Sequence, residues 1–249
     1  FGDLTTIPPH EFTWLYISPG PIFDAGHETE TFWERQARPF RVWGFGKGDV
    51  VVNAWAYHLV TAGIQVFDEP LRRAGATVIP MGTGNTELQV EVMHRLKVTG
   101  FFGVSSFFNI IISKAEEMGY DIRKDFNFKL VMIGGEMGGG PIRTLVEQKY
   151  GIPTRDMYAT SDAGTIFFEC QAKSGLHLLE NIIMEIVDPE TGKAVAPGEV
   201  GEVVLAPLDD DTYPLIHYGT GDLASVIYEP CLCGRTSPRI TRILGRSGD

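Results

Sequence analysis

Asp49-Val50-Val51-Val52-Asn53-Ala54-Trp55, Ala76-Thr77-Val78-Ile79-Pro80, Phe101-Phe102-Gly103-Val104 and Lys129-Leu130-Val131-Met132-Ile133 are short, mostly apolar runs with longer segments between them. Those segments read as helices. One covers 58–74 and ends at Gly75. The next opens at Asn85 or Thr86 and runs to about Val98, with Leu88, Val92 and Leu96 on one face. A third is capped by Ser105 or Ser106 and stops at Gly119, and a fourth opens at Pro141. Apolar strands alternating with helices predict an α/β fold, a buried parallel sheet with flanking helices and right-handed crossovers.

Beyond residue 178 the pattern changes. Ile182 to Val187, Glu202 to Ala206, Leu215 to Tyr218 and Ala224 to Tyr228 read as short strands. Between them lie turn sequences such as Asp188-Pro189-Glu190-Thr191-Gly192 and Ala196-Pro197-Gly198-Glu199. A small antiparallel β subdomain, open or barrel-like, is expected there. The expected division is 1–177 as an α/β nucleotide-binding core and 178–249 as the β-rich part.

Lys plus Arg number 21 against 32 Asp plus Glu, so the chain carries a net charge of −11. Such a surface repels phosphate backbones, which argues against nucleic acid as a partner. No stretch reaches the roughly 20 apolar residues that cross a bilayer, and Phe1-Gly2-Asp3-Leu4 is not a signal peptide. The absence of a starting Met is what an excised piece would show. Three cysteines, an odd number, do not suit a disulfide framework and point to a reducing, cytoplasmic setting.

The last third concentrates the chemistry. Cys170-x6-His177 and Cys231-x-Cys233 supply three thiolates and one imidazole, a tetrahedral set suited to a structural zinc ion with no open position. These ligands would tie the end of the α/β lobe to the β subdomain. A plainer reading makes Cys170 a small buried apolar residue and Cys231/Cys233 a surface pair.

Tyr158-Ala159-Thr160-Ser161-Asp162-Ala163-Gly164 follows a predicted strand, which places it at the carboxyl edge of the parallel sheet, where open α/β sheets bind ligands. Its small residues allow close approach to phosphate, and Asp162 could hold magnesium. Asp222, after Thr220-Gly221, could accept hydrogen bonds from two ribose hydroxyls. Ile133-Gly134-Gly135-Glu136 could pack bare backbone on a flat base. Tyr57, Phe102, Ser106 and Phe107 lie at strand ends and could wall a pocket for a flat aryl acid, although Phe102 and Phe107 could equally be core.

Taken in order, these motifs resemble the adenylate-forming acyl–CoA ligases, in particular the phenylacetate–CoA ligase group. The resemblance runs from about residue 45 to the end. It is closest in Gly82-Thr83-Gly84-Asn85-Thr86-Glu87, Gly134-Gly135-Glu136, the Tyr158–Gly164 loop with Glu169-Cys170, and 185–192. It continues through 198–205, Pro214-Leu215-Ile216-x-Tyr218-x-Thr220-Gly221-Asp222 and Gly234-Arg235-Thr236-x-Pro238-Arg239. The resemblance implies ATP-dependent conversion of an aryl carboxylate to an acyl-adenylate, and then to a thioester of coenzyme A. By it, Gly134, Gly135 and Glu136 line the adenine, with Tyr158 and Ala159 beside them. Thr160 and Ser161 approach the α-phosphate, Asp162 takes the place of a magnesium-binding Glu, and Asp222 with Arg246 holds the ribose. The cysteine–histidine set matches the group as well. A further C-terminal domain bearing a catalytic lysine, joined at a hinge near Asp249, or a second copy of the chain, is an expected partner.

The departures are specific. Where the family has a Ser/Thr/Gly-rich phosphate loop ending in Gly-Lys-Pro, this chain reads Ile17-Ser18-Pro19-Gly20-Pro21-Ile22. Two prolines remove amide donors, and the lysine is absent. Gly219 stands where Arg is usual, and Asp162 is one methylene shorter than Glu. These changes imply that the 249 residues alone do not complete the reaction. They leave two other readings beside the ligase core: a nucleotide- or acyl-adenylate-binding module acting as a partner or regulatory subunit, and a zinc-stabilised interaction domain.

Overall fold

The computed structural model describes residues 4–18, 21–58, 60–135 and 139–248. The chain opens with β1 (Leu15–Ser18), β2 (Ile22–Ala25) and helix α1 (Glu30–Val42). Strand β3 (Val50–Asn53) leads into a π-helical stretch, Ala62–Asp68, continued by α2 (Glu69–Ala74). Then come β4 (Thr77–Pro80), α3 (Thr86–Arg95), β5 (Gly100–Val104), α4 (Ser105–Glu117), α5 (Ile122–Asp125), β6 (Leu130–Gly134), α6 (Gly140–Tyr150) and β7 (Thr154–Arg155). The closing strands are β8 (Met157–Thr160), β9 (Gly164–Glu169), β10 (Leu176–Leu178), β11 (Ile182–Val187), β12 (Val200–Pro207), β13 (Tyr218–Ile227), β14 (Arg239–Ile240) and β15 (Gly245–Arg246).

Two units result: Ala37–Asp156, and the residues up to Gln36 together with Met157 onward. The sequence placed the division at 177/178. The structure groups β8, β9 and β10 with the later strands, because β10 pairs with both β9 and β14.

The unit of residues 37–156 holds a five-stranded, wholly parallel sheet in the order β4-β3-β5-β6-β7. Its central strands are buried along nearly their whole length, as a sheet covered on both faces requires. Side chains alternate across the sheet. Phe101 joins Val52, Val131 and Ile133 under α3, α4 and α6, while Phe102 meets Phe40, Trp43, Phe45 and Phe67.

Two local expectations change here. Leu88 and Leu96 are 49% and 54% exposed, and α3 instead buries Gln89, Val90 and Met93. Gln89 faces inward because its amide donates to the carbonyls of Gly82 and Gly84 at 2.9 and 2.8 Å, tying the loop ahead of the helix. Helix α4 starts at Ser105 itself, after an extended Val104, with no side-chain cap.

The other unit pairs β1 with β2 in a hairpin and builds an open antiparallel sheet in the order β11-β12-β13-β14-β10-β9-β8, with β15 on β13. The separate strands expected at 215–218 and 224–228 are replaced by the single strand β13, which begins at Tyr218. Its register against β12 shifts between Glu202 and Val204. Side chains close the ladder there: Gly221 N–H donates to Glu202 Oε1 at 2.9 Å, and Thr220 Oγ1 donates to the Val203 carbonyl at 3.0 Å. Among the described residues, no helix is long and apolar enough to cross a membrane.

Candidate nucleotide site and metal centre

Tyr158-Ala159-Thr160 belongs to β8, and Ser161-Asp162-Ala163 turns it back into β9. The loop is therefore a hairpin of the antiparallel sheet; the expectation that it lies at the edge of the parallel sheet is corrected. Thr160 Oγ1 accepts the Ala163 amide at 3.1 Å, which tightens the turn. Gly164 leaves the turn at φ +66°, and a Cβ there would meet the Gln36 side chain at 2.8 Å. That side chain in turn accepts the Thr165 amide at 2.7 Å.

Asp162 is held on both sides. Tyr213 and Tyr218 donate to its two carboxylate oxygens at 3.0 and 2.6 Å. Burial, and then the Asp162 carboxylate, push both phenols above their ordinary range. The Asp162 carbonyl faces His27 Nε2 at 2.6 Å, and His27 Nδ1 faces Asp210 Oδ2 at 2.7 Å. Both ring nitrogens meet acceptors, so both bonds form together only in the imidazolium. Burial alone would raise Asp210; the hydrogen bond and charge of His27, with Thr212, outweigh it and hold the carboxyl at about 2. His27, Tyr213 and Asp210 did not emerge from the sequence, and a pair 183 residues apart leaves no local signal.

Asp222 sits on β13 opposite Arg246 of β15. Tyr158 donates to its Oδ2 at 2.6 Å, and Arg246 Nε stands 3.9 Å from its Oδ1. The structure thus brings Tyr158, Asp222 and Arg246 together. Arg246 is 63% exposed, so its ion pair with Asp222 contributes little by itself.

In the parallel unit, Gly134 ends β6 and Gly135 follows at φ +73°. A Cβ at Gly135 would meet the Trp55 ring at 2.5 Å, so the backbone lies against an indole and only glycine fits. Glu136 lies outside the described residues, as do Pro19 and Gly20. Tyr57 is half-buried and donates to Asp68 Oδ1 at 2.7 Å, Phe107 is half-buried, and Ser106 is exposed. Phe102 differs from the expectation. It is fully buried among four aromatic rings and is core, not a pocket wall.

Cys170, His177, Cys231 and Cys233 converge, with their ligand atoms all within 4.8 Å of one another. The four come from the end of β9, from β10 and from the β13–β14 turn. They therefore lie in one unit and do not bridge two, because those strands share a sheet. Cys170 and Cys231 sulfurs are 3.7 Å apart, and Cys233 Sγ is 3.5 Å from His177 Nε2. A tetrahedron with zinc–sulfur bonds near 2.3 Å and zinc–nitrogen bonds near 2.0 Å has edges of about 3.8 and 3.5 Å, so the donor set fits that ion. His177 Nδ1 meets Ser237 Oγ at 3.2 Å, which orients the ring. Burial, then Arg235 and Arg239, depress His177 to about 4 and favour the neutral imidazole a metal needs. Burial and the neighbouring sulfurs push Cys170 up to about 11. At Cys231 burial is outweighed by the Cys233 amide and the Ser174 hydroxyl, giving about 7.

The chain thus has a parallel α/β unit and, in its other unit, an antiparallel sheet that carries the Tyr158–Gly164 hairpin and Asp222. The AMP-binding enzyme family matches residues 29–207, and the chain belongs to that family. It is 30% identical to a phenylacetate–coenzyme A ligase of Thermus thermophilus over 259 residues, covering 100% of this chain and 58% of that protein. The corresponding ligase of Escherichia coli K12 is 30% identical over 218 residues, 86% of this chain and 49% of that protein. The chain therefore spans about half the length of the curated relatives it matches. A 2-hydroxyisobutyryl-CoA ligase in complex with its acyl-AMP has the same fold, with a TM-score of 0.90 at 24% identity, covering 100% of this chain and 55% of that one. An anthranilate CoA ligase bound to anthranoyl-AMP shares it at a TM-score of 0.67 and 18% identity, over 94% of this chain and 47% of that one.

Proposed function

We propose that this chain is the nucleotide- and acid-binding core of an AMP-forming acid–CoA ligase that acts on aryl carboxylates. A carboxylate oxygen attacks the α-phosphorus of ATP and releases pyrophosphate. The thiol of coenzyme A then attacks the acyl carbon and releases AMP. The family match across 29–207, with Asp222 held between Tyr158 and Arg246, is the observation that carries this reading.

In this account Asp222 accepts the ribose hydroxyls, and Gly134-Gly135 offers bare backbone to the adenine. Thr160 and Ser161 approach the α-phosphate. Magnesium, when bound near Asp162, neutralises charge on the phosphates. Tyr57, Ser106 and Phe107 are the remaining candidates for contact with the aryl acid. Cys170, His177, Cys231 and Cys233 hold a structural zinc ion. A C-terminal domain bearing a catalytic lysine, or a second copy of the chain, is the proposed partner in this chemistry. Three free cysteines suit a reducing, cytoplasmic compartment.

The altered phosphate loop makes a distinct prediction. AMP or ADP is expected to bind better, relative to ATP, than the intact loop would allow, because the ribose side is retained while the lysine of the triphosphate end is replaced. Each charge-assisted hydrogen bond lost to phosphate costs about 1.5–3 kcal/mol, or roughly tenfold or more in affinity. Calorimetric titration with AMP, ADP and ATP decides it, and clearly tighter binding of ATP would refute the reading of the loop.

A further inference from the structure

Asp222 stands on a bulge. Val204 of β12 pairs with Gly219 of β13, and Glu202 pairs with Leu223. Thr220, Gly221 and Asp222 therefore lie opposite the single residue Val203, and the ladder cannot satisfy all their backbone groups. Side chains and the residues of β15 do so instead. Thr220 Oγ1 donates to the Val203 carbonyl at 3.0 Å and accepts the Asp222 amide at 3.1 Å. Arg246 donates to the Thr220 carbonyl at 3.2 Å, and the Ser247 amide donates to the Gly221 carbonyl at 2.8 Å. The Gly221 amide donates to Glu202 Oε1 at 2.9 Å. Among these bonds, only the last brings a side chain across from β12.

Two glycines make that contact what it is. Gly221 holds φ +73°, where a glycine can rearrange readily once its amide is released. Gly219 lies outside the left-handed region, so its lack of a side chain is a matter of space. A Cβ there would stand 2.7 Å from Glu202 Oε1, so the carboxylate fills room that bare Gly219 leaves. A side chain at 219 would push Glu202 away from Gly221. The fold would lose little by it, because Gly219 is exposed and the atom met is the far end of a flexible side chain.

Asp222 already takes the Tyr158 phenol on Oδ2 at 2.6 Å. Accepting two neighbouring ribose hydroxyls as well requires a carboxylate held in one place, and the residues behind a ligand-binding group set that placement. We propose that Glu202 is a positioning residue for Asp222: seated beside Gly219, its carboxylate locks the bulge that presents Asp222 to the ribose. The proposal rests on the reading of Asp222 as the ribose acceptor, and adds the residue that aims it.

The test is calorimetric titration of the 249-residue protein with AMP and with 2′,3′-dideoxyadenosine monophosphate, which lacks both ribose hydroxyls. The parent is expected to bind AMP at least about tenfold more tightly than the dideoxy nucleotide. Glu202→Ala should weaken AMP about fivefold, the effect of one hydrogen bond, and leave the dideoxy nucleotide unchanged. Gly219→Ala should do the same by displacing Glu202, and the double variant should bind no more weakly than either single one. Glu202→Gln keeps an oxygen acceptor for the Gly221 amide and should retain parental affinity. Gly219→Ala carries the test if Glu202→Ala does not fold. Parental AMP affinity in either alanine variant, equal losses on the two nucleotides, or a Glu202→Gln as weak as Glu202→Ala would overturn the proposal. A parent that binds the two nucleotides alike, or binds neither, removes the Asp222 reading and the proposal with it. A parent that discriminates between them while Glu202→Ala has no effect removes the proposal alone.

Discussion

Replacing Cys233 by Ser is expected to strip zinc from the protein and lower its melting temperature in the same variant. The four donors lie within 4.8 Å of one another, so the fold has already brought them to bonding range of one small ion. The unfolded chain holds no such arrangement, and the free energy of binding therefore becomes free energy of folding. In small zinc-finger peptides that amounts to about 10–16 kcal/mol at neutral pH, and a chain with a large apolar core of its own depends on the ion for less. Arg235, which donates to Cys233 Sγ at 3.5 Å, and Ser174, 3.4 Å from Cys231 Sγ, are the outer contacts of the sulfur donors. Elemental analysis should return about one zinc per parent chain and far less for Cys233→Ser. A parent protein free of zinc, or a variant that keeps its full complement, would remove the metal from the account.

Arg35→Met is expected to destabilise the antiparallel unit by about 3–5 kcal/mol. Arg35 and Asp209 form an ion pair whose side chains are 1% and 0% exposed. The guanidinium also donates to the Thr165 carbonyl at 3.0 Å and to the second Asp209 oxygen at 3.1 Å. Removing the arginine leaves a buried carboxylate with no counter-charge, and that is where the penalty arises. Replacing both partners, as in Arg35→Met with Asp209→Leu, should recover most of the loss, because an apolar pair needs no desolvation of charge. Denaturant unfolding of the two single variants and the double variant measures this directly. Additive losses in the double variant would show that the pair is not the source of the effect.

How far the sequence could be read follows from what sets each feature. The parallel sheet was legible because its strands are buried on both faces and so read as continuous apolar runs, Leu130 to Ile133 most plainly. The buried face of α3 was not. Leu88, Val92 and Leu96 do form an apolar stripe, but Gln89 turns inward to satisfy two loop carbonyls, a demand that helical periodicity does not record. Strand β13 looked like two strands because Gly219 and Gly221 interrupt its apolar pattern, where Glu202 and Thr220 supply bonds across a register shift. Asp222, Arg246 and the cysteine–histidine set were legible through motif order and ligand chemistry. His27 and Asp210 were not, because each matters through a partner 183 residues away in the chain.

The measurement that bears most directly on the central claim is calorimetric binding of phenylacetyl-sulfamoyl adenosine, a stable mimic of the aryl acyl-adenylate, to the 249-residue protein. It needs neither the phosphate loop nor a further domain, so it isolates the acid- and AMP-binding side. The account predicts binding at least about tenfold tighter than AMP, since burying an aryl ring contributes about 1.5–3 kcal/mol. It also predicts that Asp222→Asn weakens both ligands by roughly tenfold or more. No saturable binding, or equal affinity for mimic and AMP that Asp222→Asn leaves unchanged, would contradict it.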